Sequence, residues 1–261
     1  MLINFLKIAL QCFYLQDILQ NFHPVFRYFF LENFPNTGEW FQRKQSYTRS
    51  VATGSIIGYI IGLGDRHVAN ILLDKETAEF IHIDLGMSFE YGLVLPTPEK
   101  VPFRLTQDVI DGLGVLGVEG PLKRCMEVTL NVLRKHRDVL VTIIEVLRHD
   151  PLHQWTLTPQ QVARLQAIDD DDQSHSSQTQ KRRLSKDQRK SRAKEDDEEQ
   201  TQDKCSSVAL AEKALLRVKQ KLTGVEDGYA KSVPEQVASL IQQATDMNNL
   251  CQLYFGWKAY V

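Results

Sequence analysis

The stretch that most constrains this chain is Gly62-Leu63-Gly64-Asp65-Arg66-His67-Val68-Ala69-Asn70, with Asp84-Leu85-Gly86 beginning fourteen residues after Asn70. Gly62 and Gly64 end a helical run that reads from Trp40 to Ile61 and open a loop. Ile71–Leu73 and Phe80–Ile83 read as two short strands around the polar turn Asp74-Lys75-Glu76-Thr77. A long helix, a loop and a short hairpin thus deliver two acids, an amide and an imidazole to one place.

Those residue types suit phosphoryl transfer. A phosphoryl group in transit spreads negative charge over its oxygens, so catalysis is mostly positioning plus cations. Mg²⁺ is hard and takes oxygen ligands, and the Asp84 carboxylate and Asn70 side-chain carbonyl fit it. In protein kinases a catalytic Asp precedes a metal-binding Asn by five residues, which is the interval from Asp65 to Asn70, and a D-x-G acid follows. Asp65 is the candidate to orient, or take the proton of, an incoming hydroxyl. His67 is a candidate donor to phosphate oxygens and equally a candidate base. Alone, a D-x-x-x-x-N or a D-L-G is noise; in order, each bounded by an apolar run, they are not.

The loop reads D-R-H-x-x-N rather than H-R-D-x-x-x-x-N, and in this it resembles the phosphatidylinositol 3-kinase-like superfamily. Gly58–His67, His82–Gly86, Val101-Pro102-Phe103-Arg104-Leu105-Thr106, Thr48–Thr53 and the terminal Gly256-Trp257-Lys258-Ala259 are similar to the phosphatidylinositol 3-kinase-related protein kinases of the DNA-damage response. The resemblance implies ATP and Mg²⁺ (or Mn²⁺), and a catalytic loop of Gly64, Asp65, Arg66, His67, Val68, Ala69 and Asn70. It implies an activation loop from Asp84, Leu85 and Gly86 to Pro102, Phe103 and Arg104. It further implies protein substrates with Ser-Gln or Thr-Gln sites, DNA-damage sensor and activator proteins as partners, a homodimeric full-length parent, and the nucleus as location, with the cytoplasm second.

The fold expected is mainly α (α+β): the C-terminal lobe of a PI3/PI4-kinase-like kinase with a short β-hairpin, then a helical FATC tail. The divisions are 1–20, an atypical amphipathic helix; 21–168, the catalytic lobe; 169–205, a charged linker; 206–228, a regulatory helix; and 229–261, the FATC segment. A complete kinase needs an upper lobe with a phosphate-covering loop and a paired Lys. Nothing before Asn21 offers these, so the upper lobe is expected to be absent and the chain alone to have little or no kinase activity.

Composition narrows the alternatives. With 31 Lys and Arg against 33 Asp and Glu there is no basic excess that argues for direct nucleic-acid binding. Four cysteines show neither zinc spacing nor a disulfide framework. Asn4, Lys7, Gln11, Gln16 and Asp17 interrupt the apolar start, which argues against a membrane span. Between Asp84 and Arg104 the basic residue is Lys100, against Glu90 and Glu99, which favours a peptide over an inositol phosphate head group. A phosphoinositide kinase and a non-catalytic interaction module remain the alternatives.

Other readings are structural. Gly112, Gly114, Gly117 and Gly120 follow no strand and lie downstream of the catalytic loop, so they read as a turn between helices. Thr106 is the expected N-cap of a helix over Gln107–Leu113, and Ser232 with Glu235 a capping box. Phe22–Phe34 reads as helical. Residues 169–204 hold only Leu184 and Ala193 as apolar side chains, too few to offset the entropy of ordering. Their basic run, 181–194, reads as a nuclear import signal or as a solvated linker. Ser177, Thr179 and Thr201 precede Gln and are candidate phosphosites, although a Gln-rich linker also yields such pairs by chance.

Overall fold

In the computed structural model, residues 2–95, 97–147, 212–226 and 228–260 are described. Met1–Leu140 and Val218–Val261 form one compact unit, which holds all the candidate catalytic residues; Val141–Arg217 is a second.

The first unit is organised on α3, Thr37–Ile61. Asn36 caps it by accepting the N–H groups of Gly38 and Glu39, which satisfies two otherwise orphaned donors. The helix therefore starts three residues before the Trp40 expected from periodicity, and the turn before it is correspondingly shorter. Tyr47, Val51, Ser55 and Tyr59, spaced by four, are all buried on one face, and this face packs along α5, Pro121–Lys135. Gly62 stops the helix at φ 65°. A Cβ there would stand 2.6 Å from the Glu90 backbone nitrogen, so only glycine permits both the turn and the close approach.

Against α3 lies an aromatic cluster. In α2 (Phe26–Asn33), Phe26, Phe29 and Phe30 pack on one another, Phe29 and Phe30 meet Phe34, and Phe26 and Phe30 stack on or abut Tyr47. The helical run expected from Phe22 instead breaks before Phe26. Pro24 restricts the residue before it and has no N–H to donate; α1 (Leu2–Asn21) has already ended. The start of α2 is capped from α4 (Gln107–Leu113): Asp108 accepts the Val25 N–H and Asp111 the Arg27 N–H, both at 2.8 Å. Thr106 occupies the N-cap position of α4, but its hydroxyl makes no cap bond and is buried without a partner. Three of the four glycines, Gly114, Gly117 and Gly120, form the α4–α5 turn at positive φ; Gly112 instead lies buried within α4.

β1 (Ile71–Leu73) and β2 (Phe80–His82) pair antiparallel, Ile71 opposite His82 and Leu73 opposite Phe80. Phe80 is buried edge-on to Tyr47, and the Phe80 N–H donates to the Ser50 hydroxyl. The hairpin is thereby fixed to α3, and its exit delivers Asp84.

The tail closes the unit. Helix α7 covers residues 212–223 (α6 being Arg137–Leu147); Gly224 follows it at φ 76°. A small hairpin, β3 (Val225–Glu226) and β4 (Tyr229–Ala230), leads to α8, Val233–Thr245, opened by the reciprocal Ser232–Glu235 capping box. Gln236 of α8 is fully buried. Its amide donates to the Tyr59 hydroxyl and the Lys221 carbonyl and accepts from Arg134, so one side chain joins four helices. Met247–Leu250 forms α9. Leu15 of α1 packs among Leu250, Cys251, Leu253 and Trp257, whereas Leu10 and Phe13 of the same helix are exposed, so its apolar residues are not gathered on one packed face. No described helix is long and apolar enough to cross a membrane. The linker, with Ser177, Thr179 and Thr201, lies outside the described residues.

Candidate active site

The end of α3 and the exit of the hairpin meet through main-chain bonds. Ile83 N–H donates to the Asn70 carbonyl at 3.0 Å. Asn70, buried in a short 3₁₀ turn over Val68–Asn70, donates through Nδ2 to the Asp65 carbonyl at 3.0 Å and to the Asp65 carboxylate at 3.2 Å. His67 sits with Nε2 3.8 Å from the other Asp65 oxygen, while its Nδ1 accepts the Ala69 N–H. Asp65 and Asp84 both hold positive φ, 57° and 52°, a conformation sparsely populated for a non-glycine residue and concentrated at functional sites. Asp84 is exposed and accepts the Gly86 N–H at 3.1 Å; Leu85 is exposed beside it.

Arg66 holds these parts in register. It is buried, and its guanidinium donates to the carbonyls of Gly64, Asn70, Ile83 and Asp84. One planar fork therefore ties the loop of residues 64–70 to the hairpin exit, a task for which lysine has neither the donors nor the geometry. Burial pushes the Arg66 pKa down against the pull of Asp65, Glu99 and Asp84. The same cation, after burial itself, depresses the pKa of His82 to about 4, leaving that ring neutral.

The activation segment is bound to the tail. Phe103 and Arg104 are buried, with Pro102 half-buried ahead of them. Arg104 donates to the Arg66 carbonyl at 3.2 Å, to that of Trp257 at 2.7 Å and to that of Lys258 at 2.8 Å. Upstream, the Gly64 N–H donates to Met87 O and the Phe89 N–H to Ile61 O, both at 2.7 Å.

Glu99 escaped the sequence reading, which counted it only as a charge. Its carboxylate accepts the Asp65 backbone N–H at 2.8 Å, and its pKa is raised to about 7, chiefly by burial. Glu90 is likewise ion-paired to Lys221 at 3.0 Å, and Lys100 donates to Gln252 at 2.7 Å. The two acids of the segment are therefore engaged within the fold, while Lys100 stays at the surface. The signal that could have exposed Glu99 was Gly92, a glycine in the segment that no turn pattern accounted for.

A divalent cation fits the donor set. Asn70 turns its nitrogen to Asp65, which leaves its carbonyl oxygen as the outward end, and the Asp84 carboxylate has one side-chain-to-backbone bond. Both are hard oxygen donors. Among the described residues no cluster of three His, Cys, Asp or Glu side chains offers a preformed all-protein metal site, as befits an ion that takes most of its ligands from phosphate and water.

Residues 6–157 match the model of the phosphatidylinositol 3- and 4-kinases. The chain belongs to that family. Residues 230–261 match the FATC domain. The chain is 49% identical over 245 residues to the serine-protein kinase ATM of Sus scrofa and 46% identical to the serine/threonine-protein kinase ATM of Arabidopsis thaliana, in each case over 94% of this chain. A solved structure described as the FAT and kinase domain of CtTel1 superposes with a TM-score of 0.77 at 40% identity, over 97% of this chain and 15% of that one. A further one, described as the complete CtTel1 dimer with C2 symmetry, gives the same score. The chain spans 8% of the Sus scrofa protein and 6% of the Arabidopsis one. The mainly helical lobe with its hairpin and FATC tail is thus the C-terminal lobe of a kinase of this family.

Proposed function

We propose that this lobe serves a serine/threonine protein kinase that moves the ATP γ-phosphate to a protein hydroxyl, preferably before Gln, in the DNA-damage response. The observation that carries it is the bridge from Asn70 to Asp65 on one side and from Arg66 to the Asp84 carbonyl on the other; the names of the relatives support the choice of protein over lipid. Asp65 orients the incoming hydroxyl and takes its proton as the oxygen attacks the γ-phosphorus and the bond to the bridging oxygen breaks. With Nδ1 occupied by the Ala69 N–H, His67 presents Nε2–H to the phosphate oxygens; it acts as donor rather than base. Asn70 and Asp84 would hold Mg²⁺ or Mn²⁺, which when bound supplies positive charge to the phosphate oxygens. Nuclear residence, damage-sensing partners and a homodimeric parent accompany this reading, the last supported by relatives solved as dimers.

The test supplies the intact polypeptide carrying this lobe with labelled ATP and Mg²⁺, and offers a Ser-Gln peptide, an Ala-Gln peptide and phosphatidylinositol vesicles together. Label on the Ser-Gln peptide alone, lost in Asp65→Ala, is the expected result. Label on the lipid would replace the protein-kinase reading with a lipid-kinase one.

A further inference from the structure

Glu99 lies 34 residues from Asp65 along the chain, yet its carboxylate is fitted to that residue's backbone. One oxygen accepts the Asp65 N–H at 2.8 Å. The same oxygen would stand 3.1 Å from a Cβ on Gly64 and 3.0 Å from one on Gly92, and a Gly64 Cβ would also come within 3.1 Å of the Gly92 Cα. Two glycines that face one another therefore make the slot in which the carboxylate sits. Glu99 is itself held there by its own N–H, which donates to the Gly92 carbonyl at 3.0 Å.

The bond acts on an unusual backbone. Asp65 has φ 57°, which costs a non-glycine residue on the order of 1 kcal/mol or more unless its surroundings enforce it. Its carbonyl is held by Asn70 and its carboxylate by Asn70 again; the N–H is the remaining main-chain handle, and Glu99 occupies it. Trp257 lies close enough to Glu99 to favour its ionised form, although the indole N–H closes no hydrogen bond among the described residues.

We propose that Glu99 is a positioning residue for phosphoryl transfer, gripping the Asp65 backbone N–H through the Gly64–Gly92 slot and so fixing where the Asp65 carboxylate points. The proposal rests on the kinase reading above and adds to it a residue that touches neither nucleotide nor hydroxyl. It makes a demand on shape rather than charge. An acceptor oxygen at the end of a three-carbon side chain is required; a carboxylate one methylene shorter cannot span the slot. Loss of the grip misplaces Asp65 after ATP has bound, so the effect falls on turnover.

The experiment compares Glu99→Gln, Glu99→Asp and Glu99→Ala in the intact polypeptide, with kcat, KM for ATP and thermal midpoint measured for each, and Asp65→Ala as reference. Gln keeps the oxygen and the reach and is expected within about 3-fold of wild-type kcat; Asp and Ala are expected to fall at least about 10-fold, with KM for ATP changed less than about 3-fold. If Glu99→Ala does not fold, the Gln and Asp pair decides. Wild-type kcat in Glu99→Asp, or a Glu99→Gln as impaired as Asp, overturns the proposal while leaving the kinase reading intact. Wild-type turnover in Asp65→Ala would overturn the kinase reading itself, and the positioning role with it.

Discussion

The Arg104 guanidinium stacks over the Trp257 ring at 4.4 Å and donates to the Trp257 carbonyl at 2.7 Å. One residue closes the activation segment, the other nearly closes the chain, and 153 positions separate them. Because Arg104 also donates to the Arg66 carbonyl, the FATC tail is connected to the loop that carries Asp65 through a single planar cation. Desolvation lowers the Arg104 pKa to about 10, still well above neutrality, so the cation stays charged where it stacks.

Arg104→Lys should therefore behave as a radical change. Lysine keeps the charge but loses the fork that reaches three carbonyls and the flat face on Trp257. A loss of about 2–3 kcal/mol is expected, read as a fall in thermal midpoint, with Trp257→Ala producing an overlapping loss. The two losses should not add, since each removes the same contact; additive losses would show that the stacking is incidental.

Gly112 and Gly117 separate close packing from backbone conformation. A Cβ on Gly112 would lie 2.6 Å from the Phe26 ring and 2.8 Å from Tyr47, both in the aromatic cluster under α3. Gly112→Ala is expected to cost about 2 kcal/mol or more by overpacking. Gly117→Ala meets nothing nearer than 3.7 Å and should cost about 1 kcal/mol, from its positive φ alone. Chemical denaturation of the two variants checks the order.

Two buried titrating groups should give opposite pH slopes. His82 has a folded pKa of about 4, below the ordinary 6.5 of an imidazole, so its contribution to stability is present above pH 6.5 and is lost as pH falls towards 4, by up to about 3 kcal/mol. Glu99 has a folded pKa of about 7, above the ordinary 4.5 of a glutamate; the folded state holds the extra proton, and stability is lost as pH rises from 4.5 to 7. Relative to wild type, the thermal midpoint of His82→Phe should therefore decline with rising pH, and that of Glu99→Gln should climb. Parallel trends would contradict both assignments.

Much of this site was legible because spacing survives folding. The intervals among Asp65, Asn70 and Asp84 single them out as candidates, and the fold joins Asn70 to Asp65 and Arg66 to the Asp84 carbonyl; α3, the hairpin and the Ser232–Glu235 box are legible from periodicity and capping chemistry. What stayed hidden depends on contacts remote in sequence. Glu99 and Gln236 look like ordinary surface polars in one dimension, and only the approach of Gly64, Tyr59 and Arg134 makes them buried joints. Thr106 takes the expected N-cap position, but a hydroxyl there bonds its own helix only if its rotamer and neighbours allow it, and this one makes no cap bond.

The central claim is that Asp65 works on the hydroxyl while Asp84, with Asn70, works on the metal-bound nucleotide. The most direct measurement is peptide turnover beside ATP affinity, with and without Mg²⁺, for Asp65→Ala and Asp84→Ala in the intact polypeptide. Asp65→Ala should lose about 10²-fold or more in kcat with ATP affinity nearly unchanged, and Asp84→Ala should lose the Mg²⁺-dependent part of ATP binding. Identical, mild effects of the two substitutions would contradict the account.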